Sequence, residues 1–238
     1  MEGIVISAMI VLFASVLQAC TGFGFSIMAT PFLLFVYAPH VAIQINIILS
    51  ILISVFILPK IIKDVDKKLL IKLVKGSIIG APFGIGIFLF LDVQFLKIVI
   101  SLLILFLTCL LILQFSVKQT SAKDHISGGL SGMLTTSIGM PGPPLLLYFS
   151  GVKIEKAVLR STTLAFYLFI YVVALGMQIT FGSTNKEIWF TSLILVPVSI
   201  CGMILGQWLF KFINQKVFQL ITYVILGVTG FYLLFSSI

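Results

Sequence analysis

Two short stretches of this chain gather the residues that could do chemistry. The first, Gln18-Ala19-Cys20-Thr21-Gly22-Phe23-Gly24-Phe25-Ser26, sets hydroxyls around a Gly-x-Gly, with Thr30 and Pro31 just behind. The second, Thr135-Thr136-Ser137-Ile138-Gly139-Met140-Pro141-Gly142-Pro143-Pro144, has the same grammar. Glycine permits a sharp reversal, and proline is tolerated in a helix's first turn, where its N–H would have no partner. Each stretch is therefore expected to be the tip of a broken helix. Helix N-termini exposed at such tips carry partial positive charge and free N–H groups, which suit an anion. The candidate walls are Thr21, Ser26, Thr30, Thr135, Thr136 and Ser137, with Asn46, its counterpart Ser161, Thr162 and Thr163 from the helices that follow. Gly22, Gly24, Gly139 and Gly142 are candidates because the turns require them. The blander account is that serine and threonine bond their own helix or bridge neighbouring helices. Clustering at both breaks favours a shared pocket.

Other residues are weaker candidates. Arg160, the single arginine, lies next to Ser161 and could supply charge to an anion, although snorkelling to a helix end explains it as well. Cys20 abuts the first break, where a small buried cysteine is the commoner case; Cys109 and Cys201 also sit in apolar runs, and no C-x-x-C pair is present. Trp189, Tyr171 and Trp208 are expected in interfacial belts or in packing. All seven acids, Glu2, Asp64, Asp66, Asp92, Asp124, Glu155 and Glu187, fall at the ends of apolar stretches, which disfavours a carboxylate relay within a span. His40 and His125 stand alone, and metalloprotease, nucleophile-elbow and phosphate-loop motifs are missing. No enzyme activity, cofactor or metal is expected.

The elements that must position these residues are membrane helices. Hydrophobic residues make up 60% of the 238, charged residues 9%, and the mean hydropathy is +1.25. Such values lie far outside the soluble range and leave no room for a soluble catalytic domain. Apolar stretches cover 3–37 (broken near TGFGFS), 40–59, 69–91, 95–115, 126–150 (broken near GMPGPP), 154–181, 188–211 and 216–236. The start MEGIVIS is acidic, so the first run is expected to be retained and not cleaved as a signal peptide. The net charge of +8 comes from lysines at segment ends, where it orients a protein in a bilayer. The expected partners are a lipid bilayer and a small anionic substrate, with a homo-oligomer left open and nucleic acid disfavoured.

The chain also repeats itself. Gly80 and Gly84 recur 122 positions later as Gly202 and Gly206, Pro31 in TPFLLF matches Pro144 in PPLLLYF, and Ala42 matches Ala157. If every stretch crossed once, the lysines and the one arginine would divide 9 to 6 between the two sides. If each broken stretch returns as a hairpin, Lys153, Lys156, Arg160, Lys211 and Lys216 join the 60–75 cluster and the division becomes 13 to 2, with Lys97 and Lys186 on the other side. The positive-inside preference selects the hairpins. The expected fold is an all-α polytopic membrane protein of two inverted repeats, residues 1–118 and 119–238. Each is a broken hairpin (3–37 and 126–150) followed by three transmembrane helices, at 40–59, 69–91 and 95–115 and at 154–181, 188–211 and 216–236. The second hairpin is expected to be re-entrant, because 126–137 is too short to cross, while the first, with 3–20 near 27 Å long, is left open. The two tips are expected to meet near the midplane. The glycine pairs are expected to pack helices closely, and paired broken helices point to a secondary transporter.

The run TGFGFSIMATPFLLF followed by A-I-Q-I-N, then GGLSGMLTTSIGMPGPPLLLYFSGVKIEKAVLRSTT, resembles the TauE/SafE sulfite exporter family over nearly the whole chain. It departs from the family's richer glycine runs at Phe23, Phe25 and Ser26 and at Thr136 and Ser137. The resemblance implies export of a small anion, sulfite or an organosulfonate, through the cell membrane by a multi-pass carrier. Alternating access around the two tips is the expected mechanism. The rival functions are a channel-like or cation-coupled carrier of a small neutral solute and a non-transporting scaffold.

Overall fold

A computed structural model of the chain describes residues 2–21, 24–90, 119–150 and 154–209 continuously, with single positions between 95 and 113 and between 224 and 235. The described elements are all helical: α1 (Glu2–Thr21), α2 (Gly24–Leu33), α3 (Pro39–Ile61), a 3-10 turn (Ile62–Asp64), α4 (Lys67–Phe90), α5 (Ser121–Ile138), α6 (Gly142–Ser150), α7 (Lys156–Phe181) and α8 (Lys186–Leu209). The helices expected at 95–115 and 216–236, with Lys97, Lys211 and Lys216, fall largely outside the described residues. Five helical stretches, Gly3–Cys20, Pro39–Asp64, Lys67–Phe90, Ala157–Phe181 and Lys186–Leu209, are long and apolar enough to cross a membrane. The chain is a multi-pass, all-α membrane protein.

Local chemistry sets the helix ends. Pro39 opens α3 after Ala38 in extended conformation, as a residue with no N–H can at N1. Asp66 Oδ1 caps α4 by accepting from Lys68 N (2.9 Å) and Leu69 N (3.1 Å), and Asn185 Oδ1 caps α8 by accepting from Ile188 N (2.9 Å). Gly139 closes α5 with φ +71°, its N–H donating to Thr135 O (2.9 Å) while Met140 N donates to Leu134 O (3.3 Å). Glycine ends helices this way because the left-handed region costs it nothing.

One expected boundary is wrong. The second hairpin starts at Ser121, not at 126, and α5 has 18 residues against 20 in α1, so its length is about 27 Å at ~1.5 Å per residue. The arm is therefore a longer helix than the apolar stretch predicts, though not one of the five that are long and apolar enough to cross a membrane. Two features carry the polar residues 121–125 into the helix. Thr120 caps it by accepting from Lys123 N (3.3 Å), and Asp124, fully buried, pairs with Lys72 Nζ (2.8 Å) and accepts from the Tyr148 hydroxyl.

The packing exchanges parts between the halves. Along α4, Gly76 faces His125 and Gly129, Gly80 faces Gly129, and Gly84 faces Met133 and Thr136, so α4 and α5 run parallel. Along α8, Gly202 faces Leu12 and Ser15 and Gly206 faces Val16 and Ala19, so α8 and α1 also run parallel. Each glycine helix thus lies on the first arm of the other half's hairpin. Absence of a side chain lets the backbones approach. Between them α3 and α7 run antiparallel: Gln44 Nε2 donates to Ser183 O (2.8 Å) at one end, and Asp66 N donates to Thr162 Oγ1 (2.9 Å) at the other. Lys60, Lys63, Lys67, Lys68, Lys72, Lys75, Lys123, Lys156 and Arg160 consequently share one end of the bundle, and Lys186 lies at the opposite end.

Polarity is distributed inside out. Ile78, Ile79, Phe83 and Phe90 of α4 and Phe190, Leu193 and Leu205 of α8 are exposed, while serine, threonine, asparagine and glutamine fill much of the interior. Lipid asks nothing polar of a helix's outer face, and polar groups at membrane depth must find partners within the protein.

Candidate functional site

The first break joins α1 to α2. Thr21 is the last residue of α1, and Gly22 and Phe23 lie outside the described residues. Gly24 opens α2 so close to the preceding arm that an added Cβ would fall 2.8 Å from Leu17 Cβ and 3.1 Å from Leu17 C. Gln18, which the sequence reading did not single out, turns back to accept from Phe25 N through Oε1 (3.0 Å). One of the amides expected to await an anion is therefore already taken. The break is held from outside by Arg160, whose Nη2 donates to Ala19 O (2.6 Å), and by Cys20, whose Sγ donates to Gly206 O (3.1 Å). Arg160 reaches into the bundle, so snorkelling towards solvent is not its arrangement.

The second break joins α5 to α6 through Gly139 and Gly142. Asn46 Nδ2 donates to Gly139 O (2.8 Å), and a Cβ on Gly139 would collide with that same nitrogen at 2.8 Å. A Cβ on Gly142 would fall 2.8 Å from Ile27 Cδ1 and 3.2 Å from the Tyr167 hydroxyl. Pro143 and Pro144 carry no N–H, so the first turn of α6 offers donors only at Gly142 and Leu145. What the structure brings together is the second tip and the second arm of the first hairpin, at Ile27. The expected tip-to-tip meeting involves Gly22 and Phe23, outside the described residues.

The candidate hydroxyls divide into two groups. Thr135 donates to Ser131 O (2.5 Å), Ser137 to Met133 O (2.8 Å) and Ser161 to Val158 O (3.1 Å), each within its own helix. Thr136 donates to Ala81 O (2.9 Å) and Gly132 O (3.0 Å), stitching α5 to α4, and Thr162 accepts from Asp66 N. Thr30 and Thr163 are fully buried with no hydrogen-bond partner in the protein, as is Asn46 Oδ1, and Ser26, equally buried, has none but the Tyr171 hydroxyl. The first group follows the blander account; the second has unused capacity.

Further residues share that condition. Ser50 and Ser54 continue the Asn46 face of α3 at four-residue spacing, and Tyr167 and Tyr171 continue the Thr163 face of α7. All four are fully buried, and none of their hydroxyls is satisfied by a group outside this cluster. The Tyr171 hydroxyl lies beside Ser26 and Ser50. Leaving one such group unsatisfied costs about 1–3 kcal/mol, and native interiors hold only a few per hundred residues. A concentration on α2, α3 and α7 therefore marks the candidate site. Sequence spacing on α3 and α7 could have shown it, but tyrosine inside an apolar run reads equally as packing.

The site's electrostatics are simple. Among the described residues, Asp124 is the one fully buried acid, and it is engaged by Lys72 and Tyr148 at the lysine-rich end. Outside Arg160, the unsatisfied polar atoms of α2, α3 and α7 are hydroxyls and amide oxygens. An open depression lined by Thr184, Asn185, Lys186, Trp189, Phe190 and Leu193 lies at the opposite end, on an outward face. Trp189 and Trp208 are exposed, as interfacial residues would be, while Tyr171 is core. No group of three or more metal-ligating side chains occurs among the described residues.

The sequence model of the family "Sulfite exporter TauE/SafE" matches residues 7–233. No curated protein and no solved structure matches the chain.

Proposed function

We propose, on the premise that the chain belongs to the sulfite exporter TauE/SafE family, that it moves a small anion, sulfite or an organosulfonate, out through the cell membrane by alternating access. The observation that carries this reading is the exchanged packing. Each glycine helix lies on the other half's hairpin while α3 and α7 run antiparallel between them. That arrangement supports two inverted repeats, and in such carriers one half rocks against the other around a site between broken helices. The substrate's sign follows from the interior: hydroxyls line α2, α3 and α7, Arg160 reaches the first break, and the buried acid is already paired. Gly24 and Gly142 are the pivots, since both stand where a side chain has no room. Gly22 and Thr21 would complete the first turn.

The test is sulfite efflux from vesicles containing purified protein. Gly24→Val and Gly142→Val each abolish efflux while the protein still inserts and elutes as a single species. Wild-type flux from either variant would refute the pivot role. In the same vesicles excess methanesulfonate slows sulfite efflux and excess glycerol does not. Inhibition by glycerol alone would transfer the assignment to a carrier of neutral solutes.

A further inference from the structure

Tyr167 and Tyr171 stand four residues apart on α7, fully buried, with ring centroids 5.7 Å apart in an edge-to-face pair. No group outside the cluster formed with Ser26 and Ser50 gives either hydroxyl a hydrogen bond. Within reach of the Tyr171 hydroxyl lie Ser26 of α2 and Ser50 of α3, whose own hydroxyls have no other partner. The Tyr167 hydroxyl lies against Gly142, at the start of α6, where a Cβ would stand 3.2 Å from it. That same Cβ would touch Ile27, one residue past Ser26. Four hydroxyls from three helices therefore gather where the second hairpin's turn crosses the first hairpin's second arm.

Burial of so many hydroxyls with no partner outside the cluster is unfavourable, and phenylalanine and alanine would pack the same volume without that cost. Each hydroxyl can donate one hydrogen bond, and oxygens of a sulfur oxyanion are acceptors. Gly142 adds a main-chain N–H at a helix start, where negative charge is favoured. We infer that the hydroxyls of Tyr167 and Tyr171, together with Ser26 and Ser50, bind the oxygens of the transported anion at the crossing of the two hairpins. This rests on the anion-carrier reading above and adds its binding residues. The crossing is also the contact that must change if the halves rock. A ligand held there would be sensed by both hairpins at once.

The experiment is titration calorimetry of the purified full chain with sulfite and with methanesulfonate, beside thermal unfolding in the same detergent. Tyr171→Phe and Tyr167→Phe each weaken sulfite binding at least tenfold, with an unchanged or higher unfolding temperature. Tyr37→Phe serves as control: its hydroxyl accepts from Ser7 Oγ, away from this cluster, and its affinity stays at the wild-type value. Should a phenylalanine variant misfold, Ser50→Ala decides the same question. Binding within twofold of wild type in every variant that folds would overturn the site and leave the carrier reading standing. Wild-type protein that neither binds nor transports either probe would sink that reading, and the site with it.

Discussion

The two glycine helices do the same job at different closeness. On α4, a Cβ at Gly80 would fall 1.9 Å from Gly129 O, and one at Gly84 2.1 Å from Met133 O. On α8 the matching contacts are looser, 2.7 Å from Gly202 to Leu12 O and 2.5 Å from Gly206 to Val16 O. Part of the difference lies in the partner helix. The first arm of the second hairpin brings its own glycines, Gly128, Gly129 and Gly132, to the seam, whereas the first arm of the first hairpin brings Leu12, Ser15, Val16 and Ala19. Glycine facing glycine lets main chains touch, and glycine facing alanine or serine keeps them a methyl group apart. The two glycine pairs thus share a role while the seams they form differ in tolerance.

The largest expected effect tests that inequality. Gly80→Ala drives a methyl into a main-chain carbonyl that no rotamer change can move, and overpacking of this kind costs about 3 kcal/mol. Gly202→Ala meets a smaller overlap and regains roughly 1 kcal/mol of helix propensity, so its net cost is about 1 kcal/mol or less. Thermal unfolding in detergent orders the proteins wild type, Gly202→Ala, Gly80→Ala. A larger loss at Gly202 would show that the two seams are not related as described.

The hairpins are also fastened differently. A buried ion pair ties α5 to α4, Lys72 Nζ to Asp124 Oδ2 at 2.8 Å, with Tyr148 of α6 donating to the same carboxylate. The first hairpin relies on donors to main-chain carbonyls, Arg160 to Ala19 and Cys20 to Gly206. Removing one partner of a fully buried pair typically costs 3–5 kcal/mol. Lys72 is 35% exposed, and water that reaches its ammonium group lowers the expected cost of Asp124→Asn to about 2 kcal/mol. Hydrogen exchange locates the loss: amides of α5 and α6 exchange faster, and those of α1 do not. Equal acceleration in both hairpins would mean that the anchor is not local.

Much of this is legible in the amino-acid sequence alone. Long apolar runs put the ends of α3, α4, α7 and α8 within two residues of their places, because a membrane helix is defined by what it lacks. The start of α5 was missed for the converse reason. Lys123, Asp124 and His125 look like a loop until Lys72 and Tyr148, 52 and 24 residues from Asp124, are seen to neutralise the acid. The hydroxyls at the breaks were recognisable by type, but type does not say which are free. Thr135 and Ser137 face carbonyls of their own helix, while Thr30 has no partner and Ser26 none but the Tyr171 hydroxyl. Tyr167 and Tyr171 were marked only by their spacing on α7, since the same letters serve packing, belts and binding.

Adjacent threonines give the smallest and sharpest version of this contrast. Thr162 and Thr163 are both fully buried on α7 and are equivalent as sequence. Thr162 Oγ1 accepts from Asp66 N at the start of α4, joining the halves at the lysine-rich end, whereas Thr163 Oγ1 has no partner in the protein. Valine preserves shape and β-branching at either position, so helix propensity barely changes. Thr162→Val leaves a main-chain N–H without its acceptor and costs about 1 kcal/mol. Thr163→Val deletes a hydroxyl that was buried unsatisfied and is neutral or stabilising by up to about 1 kcal/mol. Unfolding temperatures should therefore rank Thr163→Val at or above wild type and Thr162→Val below it. The reverse order would mean that the Thr163 hydroxyl already has a partner in the folded protein, and the argument from unsatisfied hydroxyls on this face of α7 would fail with it.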